Sequence, residues 1–213
     1  MGILAIILVT IAVLLWREQA EPATTANGVT GQIDKLLQIS SGAAKQKKYS
    51  LAEKALLTVL RVDERNAQAY NRLGILYAKQ QHYNDAIECF EIAQSLQPSA
   101  SSLHNVGLIY LKVGNLPKAR QAFEQAIELE DNVASRHIAY AKVLEEQGED
   151  KKMIEELEKA ARLEKNPQSF GILADALERI GDKERAKEVR ELANSMAKAG
   201  NRKRIKQPSK VSI

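Results

Sequence analysis

Two series of residues run through this chain in step. Ser40, Gly74, Gly107, Ala141 and Ala174 are separated by 34, 33, 34 and 33 residues, and Ala52, Ala86, Ala119, Met153 and Ala186 repeat with the same steps. Two series locked at one period describe a stack of similar supersecondary units, each too small to bury its apolar face alone. Leu73, Gly74 and Tyr77 share one helical face, and Ala86, Phe90 and Ala93 share another. Small residues where two helices cross let the backbones approach, and large ones fill the groove beside them. Turn chemistry falls between the helices on the same schedule. Gly114, Gly148 and Gly181 stand where a helix ends and a left-handed residue is wanted, and Pro117 suits a first helical turn. Ser50 with Glu53 reads as a capping box, and Asp150 and Asp182 read as N-caps. No stretch alternates as a strand, and 5 prolines and 11 glycines are too few for a many-stranded β protein. The expected class is all-α, about ten helices in helix–turn–helix pairs.

The best copy reads Tyr70-x2-Leu73-Gly74-x2-Tyr77, then Ala86-x3-Phe90, Ala93 and Pro98; the next reads Leu103-x2-Val106-Gly107-x2-Tyr110, then Ala119-x3-Phe123 and Ala126. These residues resemble the tetratricopeptide repeat. The resemblance extends over about residues 33–200 as five copies, 33–66, 67–99, 100–133, 134–166 and 167–200. The fourth (His137, Tyr140, Ala141, Leu144; Met153, Leu157, Ala160) and fifth (Phe170, Leu173, Ala174, Leu177; Ala186, Ala193) keep size and polarity. The first does so through Leu36, Ile39, Ser40, Ala43, Ala52, Leu56 and Val59. In the fifth copy Arg190 stands where Phe90 and Phe123 stood, as befits a solubilising terminal repeat.

The resemblance implies a right-handed α-solenoid of about five repeats whose first helices line a concave surface that holds a peptide from a partner protein. It places Leu37, Ser41 and Ala44 in that groove, then Asn71, Ile75 and Ala78, then His104, Leu108 and Leu111. Ile138, Lys142 and Glu145 follow, then Asp175 and Glu178. The groove is thus expected to be apolar in the N-terminal repeats and charged in the C-terminal ones. The clamp with which some members grip acidic chaperone C-termini is not expected. Ile75 stands where its Asn belongs and Asn71 where its Lys belongs.

The ends differ from the middle. Ile3 to Trp16 is one apolar run broken only by Thr10. At about 1.5 Å per residue it reaches roughly 21 Å, against a hydrocarbon core of about 30 Å. With Trp16 and Arg17 at its edge, residues 1–17 read as a hydrophobic helix serving as a single-pass membrane anchor or signal-anchor. A signal cleaved near Ala26, which would release an exported soluble protein, is the alternative. Arg17 leans the C-terminal domain toward the cytoplasm. Residues 18–32 read as a flexible linker. Residues 201–213 read as a basic disordered tail in which Arg202, Lys203, Arg204 and Lys206 could meet anionic headgroups or, in a second reading, RNA or the ribosome. Nucleic acid is the disfavoured partner, because the tail has no interleaved aromatics for stacking. The net charge of +4 belongs to this tail.

No constellation for chemistry accompanies these features. The chain has no phosphate-binding loop, HExxH, G-x-S-x-G or CxxC motif. His82, His104 and His137 are too far apart to pair within a helix, and Cys89 beside Phe90 reads as a small buried hydrophobe. No catalytic residue, metal or cofactor is expected. The sequence points to a membrane-tethered scaffold that binds a partner protein or peptide, of undetermined oligomeric state.

Overall fold

The computed structural model describes residues 28–205, and among them the only regular elements are ten helices. Helix α1 spans 28–45. It is followed by α2 (Tyr49–Val62), α3 (Ala67–Lys79) and α4 (Tyr83–Leu96). Then come α5 (Ala100–Lys112), α6 (Leu116–Leu129) and α7 (Ala134–Glu146). The series closes with α8 (Asp150–Leu163), α9 (Pro167–Arg179) and α10 (Lys183–Ile205). The chain divides into two compact units, the first ending at Gln97 and the second beginning at Pro98. In the first unit α2 packs on α3 and α3 on α4. In the second each helix from α5 to α10 packs on the next, and α5 also meets α7. All-α architecture in helix–turn–helix repeats is therefore observed. Residues 1–27 and 206–213 lie outside the described residues, and so do the apolar run and most of the linker. Among the described residues no helix is long and apolar enough to cross a membrane. Helix α10 runs through residues 201–205, where the basic tail was expected to begin.

The packing rule of the repeats is a complement of sizes. A Cβ built on Gly74 would lie 2.9 Å from Cε1, Cε2 and Cζ of Phe90, and one built on Gly107 would lie 2.9–3.1 Å from the ring of Phe123. Both rings are fully buried. At the same positions the first repeat has Ser40 with Leu56 and the fourth has Ala141 with Leu157, all buried. Where the large residue is Phe, the small one is Gly. Where it is Leu, a Cβ fits.

The turns obey a second rule. Gly114, Gly148 and Gly181 all have positive φ, as the sequence implied. The equivalent positions of the first two repeats hold Lys47 (φ 59°) and Gln81 (φ 65°), which reach the same left-handed conformation without being glycine. Asn66, Ser99, Asn115 and Asn166 cap α3, α5, α6 and α9 by accepting from the backbone N–H three residues on. Asp182 does the same ahead of α10, accepting from the N–H of Arg185.

Three local expectations fail. Ser50 is not a cap: α2 starts at Tyr49, and Glu53 instead accepts a hydrogen bond from the Tyr77 hydroxyl at 2.7 Å. Asp150 lies inside the first turn of α8, where it favours the positive end of the helix dipole. In α1 Ile39 is 49% exposed while Leu37 is 4% exposed, so Leu37 belongs to the core and not to a groove.

Candidate functional site

Each unit carries its own cavity on the face of its first helices. In the second unit, α5, α7 and α9 surround about 530 Å³. Leu108, Leu111, Ile138 and Ile172 supply aliphatic surface there, and His104, Lys142, Glu145 and Arg179 supply polar groups. An adjoining hollow of about 530 Å³ shares Leu108, Leu111 and Lys142 and adds Lys112 and Glu146. Three consecutive first helices thus deliver side chains spaced three or four residues apart along each helix, which is how a solenoid turns periodicity into a face. Leu108 is 42% exposed, an unusual placement for leucine in a helix that is otherwise well buried. Arg179 and Glu145 are ion-paired across α9 and α7.

His104 leans edge-on against Phe123, with ring centroids 5.6 Å apart. Burial, helped by the charge of Arg136, holds its pKa below the ordinary value, so the ring is neutral near pH 7. Its Nδ1 is buried without a hydrogen-bond partner. His137 is its opposite. It is buried in the large slot that opens α7, with Nδ1 2.6 Å from Glu156 Oε2 and Nε2 2.7 Å from the carbonyl of Asp131. Both partners are acceptors, so the ring donates twice. The hydrogen bond to Glu156 outweighs the burial and raises its pKa. Burial works to raise the Glu156 carboxyl, but hydrogen bonds from His137 and Lys159 leave it below the usual range. This is a structural ion pair. Cys89 is buried, and burial beside Glu88 and Asp85 pushes its thiol up to about 11, so it is not a nucleophile at neutral pH. Among the described residues no group of three or more His, Cys, Asp or Glu side chains could hold a metal.

In the first unit, α1, α2 and α3 surround about 310 Å³. Ala44, Ile75 and Leu76 are apolar parts of its wall, and Lys45, Arg72 and Lys79 are its cations. Arg72 Nη1 donates to the carbonyl of Leu37 at 2.5 Å and to Ser41 Oγ at 2.7 Å, tying α3 to α1.

The groove residues read from the sequence are therefore divided. His104, Leu108, Leu111, Ile138, Lys142 and Glu145 converge in the second unit, and Ser41, Ala44 and Ile75 in the first. Asn71 and Ala78 are half-buried on α3 outside either cavity wall, and the Oδ1 of Asn71 is buried without a partner. Asp175 and Glu178 are engaged by Arg190, at 2.8 and 2.7 Å. The expected gradient from apolar to charged is not seen in the cavity walls, because both are mixed: Lys45, Arg72 and Lys79 stand beside Leu56, Ile75 and Leu76 in the first unit, and Lys142, Glu145 and Arg179 beside Leu108, Leu111, Ile138, Leu157 and Ile172 in the second. Sequence reasoning missed Arg72, Lys45, Lys79, Ile172 and Arg179. The side chains of Arg202, Lys203 and Arg204, and all of Lys206, lie outside the described residues.

Comparison with known proteins agrees with this geometry. Family profiles described as tetratricopeptide repeat match residues 67–99 and 100–133. Human E3 SUMO-protein ligase RanBP2 is 35% identical over 57 residues, 27% of this chain but 2% of that protein, so the chain spans a small fraction of the curated relatives it matches. Among solved structures, a crystal structure of MamA superposes with a TM-score of 0.69 at 21% identity, over 85% of this chain and 97% of that one. Pseudomonas aeruginosa pilF gives 0.72 at 20% identity, over 79% of this chain and 78% of its own. YrrB, titled a TPR protein with an unusual peptide-binding site, gives 0.62 at 16%, over 79% of this chain and 91% of its own. At such identities the likeness is one of fold. Residues 67–133 carry tetratricopeptide repeats, and the described residues share the helix–turn–helix fold of these structures.

Proposed function

We propose that this protein is a tetratricopeptide scaffold that holds an apolar segment of a partner protein against α5, α7 and α9. The observation that carries the reading is the convergence of Leu108, Leu111, Ile138 and Ile172 on one open cavity, with Leu108 left exposed in a helix that buries most of its other apolar side chains. Aliphatic surface held open in this way is costly in water, at about 25 cal/mol per Å², and an amphipathic segment laid across three helices would cover it. Lys142 and the Glu145–Arg179 pair at the rim would orient that segment. The YrrB likeness lends support through that protein's title alone.

The same proposal has residues 3–16 tethering the repeats to a membrane, a reading supported by the apolar run of the sequence. Carbonate extraction of membranes would leave the full-length protein in the pellet, and its release into the supernatant would remove the tether.

The groove is tested in the full-length protein with a photo-crosslinking side chain at position 172. A defined adduct is expected in vivo, and Leu108→Asp or Leu111→Asp should abolish it while far-ultraviolet circular dichroism stays unchanged. Adducts that survive both substitutions in a folded protein would refute the assignment.

A further inference from the structure

Four arginines among the described residues are partly or wholly withdrawn from solvent: Arg72, Arg120, Arg136 and Arg190. Three of them face carboxylates. Arg120 pairs with Glu149, Arg136 with Glu130 at 2.6 Å, and Arg190 with Asp175 at 2.8 Å. Arg72 alone of the four has no carboxylate within ion-pair distance among the described residues. Its Nη1 spends both protons on neutral oxygens, those of Leu37 and Ser41. The other edge of the guanidinium, Nε with Nη2, makes no bond within the described residues and is not among the buried unpaired atoms. A withdrawn cation without a counter-charge is costly, and a fixed guanidinium with one edge open is the shape that accepts a carboxylate through two parallel hydrogen bonds.

The surroundings repeat the same demand. Lys45 and Lys79 line the same cavity, are exposed, and have no ion-pair partner among the described residues. No acidic side chain lines that cavity, and its remaining wall includes Ala44, Ile75 and Leu76. The dipole of α3 accounts for a lysine at its last residue. It does not account for Arg72, which sits in the interior of that helix.

We propose that the first unit's cavity binds an internal acidic stretch of a partner protein, with one carboxylate seated on the Nε–Nη2 edge of Arg72. Neighbouring carboxylates meet Lys45 and Lys79, and an intervening aliphatic side chain rests on Ile75. Three separate cations match several carboxylates along a chain better than the single charge of a chain terminus, so the occupant is a segment and not a C-terminus. The proposal rests on the reading of these repeats as a peptide-binding scaffold and adds a second, chemically distinct site to it.

The test is fluorescence anisotropy with the full-length protein and a fluorescein-labelled, C-terminally amidated hexapeptide alternating glutamate with leucine. Its glutamine isostere serves as the comparison. The acidic peptide should bind at least tenfold more tightly than the isostere, and binding should weaken between 50 and 300 mM salt, as charge pairing at a partly open site requires. Arg72→Lys, which keeps the charge and loses the fork, should weaken it about tenfold. Lys45→Gln with Lys79→Gln should do the same without touching the hydrogen bonds that tie α1 to α3, and Lys54→Gln, on the exposed side of α2, should change nothing. The double lysine variant keeps the test open should Arg72→Lys disturb the fold.

Equal binding of the isostere would overturn the acidic assignment and leave a plain peptide groove. Wild-type affinity in the two lysine substitutions and in folded Arg72→Lys would overturn the location. Displacement of the peptide by inorganic pyrophosphate at equal concentration would reduce the site to an anion site and overturn the peptide. Absence of any binding, alongside intact crosslinking at position 172, would overturn this inference alone.

Discussion

Replacing Gly74 by alanine should change sign of effect with the residue opposite it. On helix propensity alone, glycine to alanine in a helix interior stabilises by about 1 kcal/mol. At Gly74, however, the new Cβ would meet three ring carbons of Phe90 at 2.9 Å. Ordinary carbon contacts lie at about 3.5–4.0 Å, so the ring must retreat by more than half an ångström. Phe90 is 1% exposed, so its ring cannot swing out into solvent and must press on its buried neighbours. Overpacking of this kind costs about 1–3 kcal/mol, so once the propensity gain is subtracted the net effect is a destabilisation of up to about 2 kcal/mol. The clashing atoms are Cε1, Cε2 and Cζ, which leucine lacks. In a Phe90→Leu background Gly74→Ala should therefore stabilise by about 0.5–1 kcal/mol, reproducing the pairing of Ala141 with Leu157. Urea denaturation of the four proteins closes the cycle, with an expected coupling of about 2 kcal/mol. Gly171→Ala in α9, where an added Cβ meets nothing within 4 Å and φ is ordinary, is the control and should stabilise by about 0.5–1 kcal/mol. The reasoning fails if Gly74→Ala has the same effect in both backgrounds, or stabilises the wild type.

Other consequences can be checked on the same protein. Gln81→Gly and Lys47→Gly relieve a left-handed side chain and should each raise stability by about 0.5–1 kcal/mol, while Gly114→Ala should lower it by about 1–2 kcal/mol, all read from urea midpoints. Phe123→Ala removes a fully buried ring and should cost about 3–5 kcal/mol. The His137–Glu156 pair gives stability a pH dependence of two signs. The folded pKa of His137 is raised, so its contribution is complete below its unfolded value near 6.5 and is lost as pH rises through the folded value. The folded pKa of Glu156 is lowered, so its contribution is complete above about 4.5 and is lost as pH falls through the folded value. Thermal melts of wild type against His137→Phe should show the difference greatest between about pH 4.5 and 6.5 and shrinking on either side, and a pH-independent difference would refute the pairing.

The fold was legible because its information is local and periodic. Gly74 against Phe90 and the turn glycines at 114, 148 and 181 can be read from spacing alone, and the structure puts each where the period requires. Features that depend on another repeat were not legible. Ser50 and Glu53 form no capping box because α2 already starts at Tyr49, and the Glu53 carboxylate accepts instead from the Tyr77 hydroxyl, 24 residues away. Ile39 stands one period before the buried Leu73 and is nonetheless exposed, and among the described residues no helix precedes α1 to cover that side. Lys47 and Gln81 were not legible because residue type marks a left-handed position only where it is glycine. In the site, Leu108, Leu111 and Lys142 followed from repeat register. Arg72 did not, since its role depends on the Leu37 carbonyl, 35 residues earlier, and on the absence of a carboxylate that only three dimensions reveal.

In the second unit contacts pass chiefly between helices consecutive in the chain. Cooperativity in such a structure is short-ranged, and a helix pair at one edge can open without consulting the far edge. Leu108, Ile138 and Ile172 lie on α5, α7 and α9, so whatever occupies their cavity is a tie between repeats that the chain itself leaves weakly joined. Occupancy would then be felt first in the sharpness of unfolding and only second in its midpoint. Amide exchange across the unit, graded when it is empty, would become uniform when it is filled.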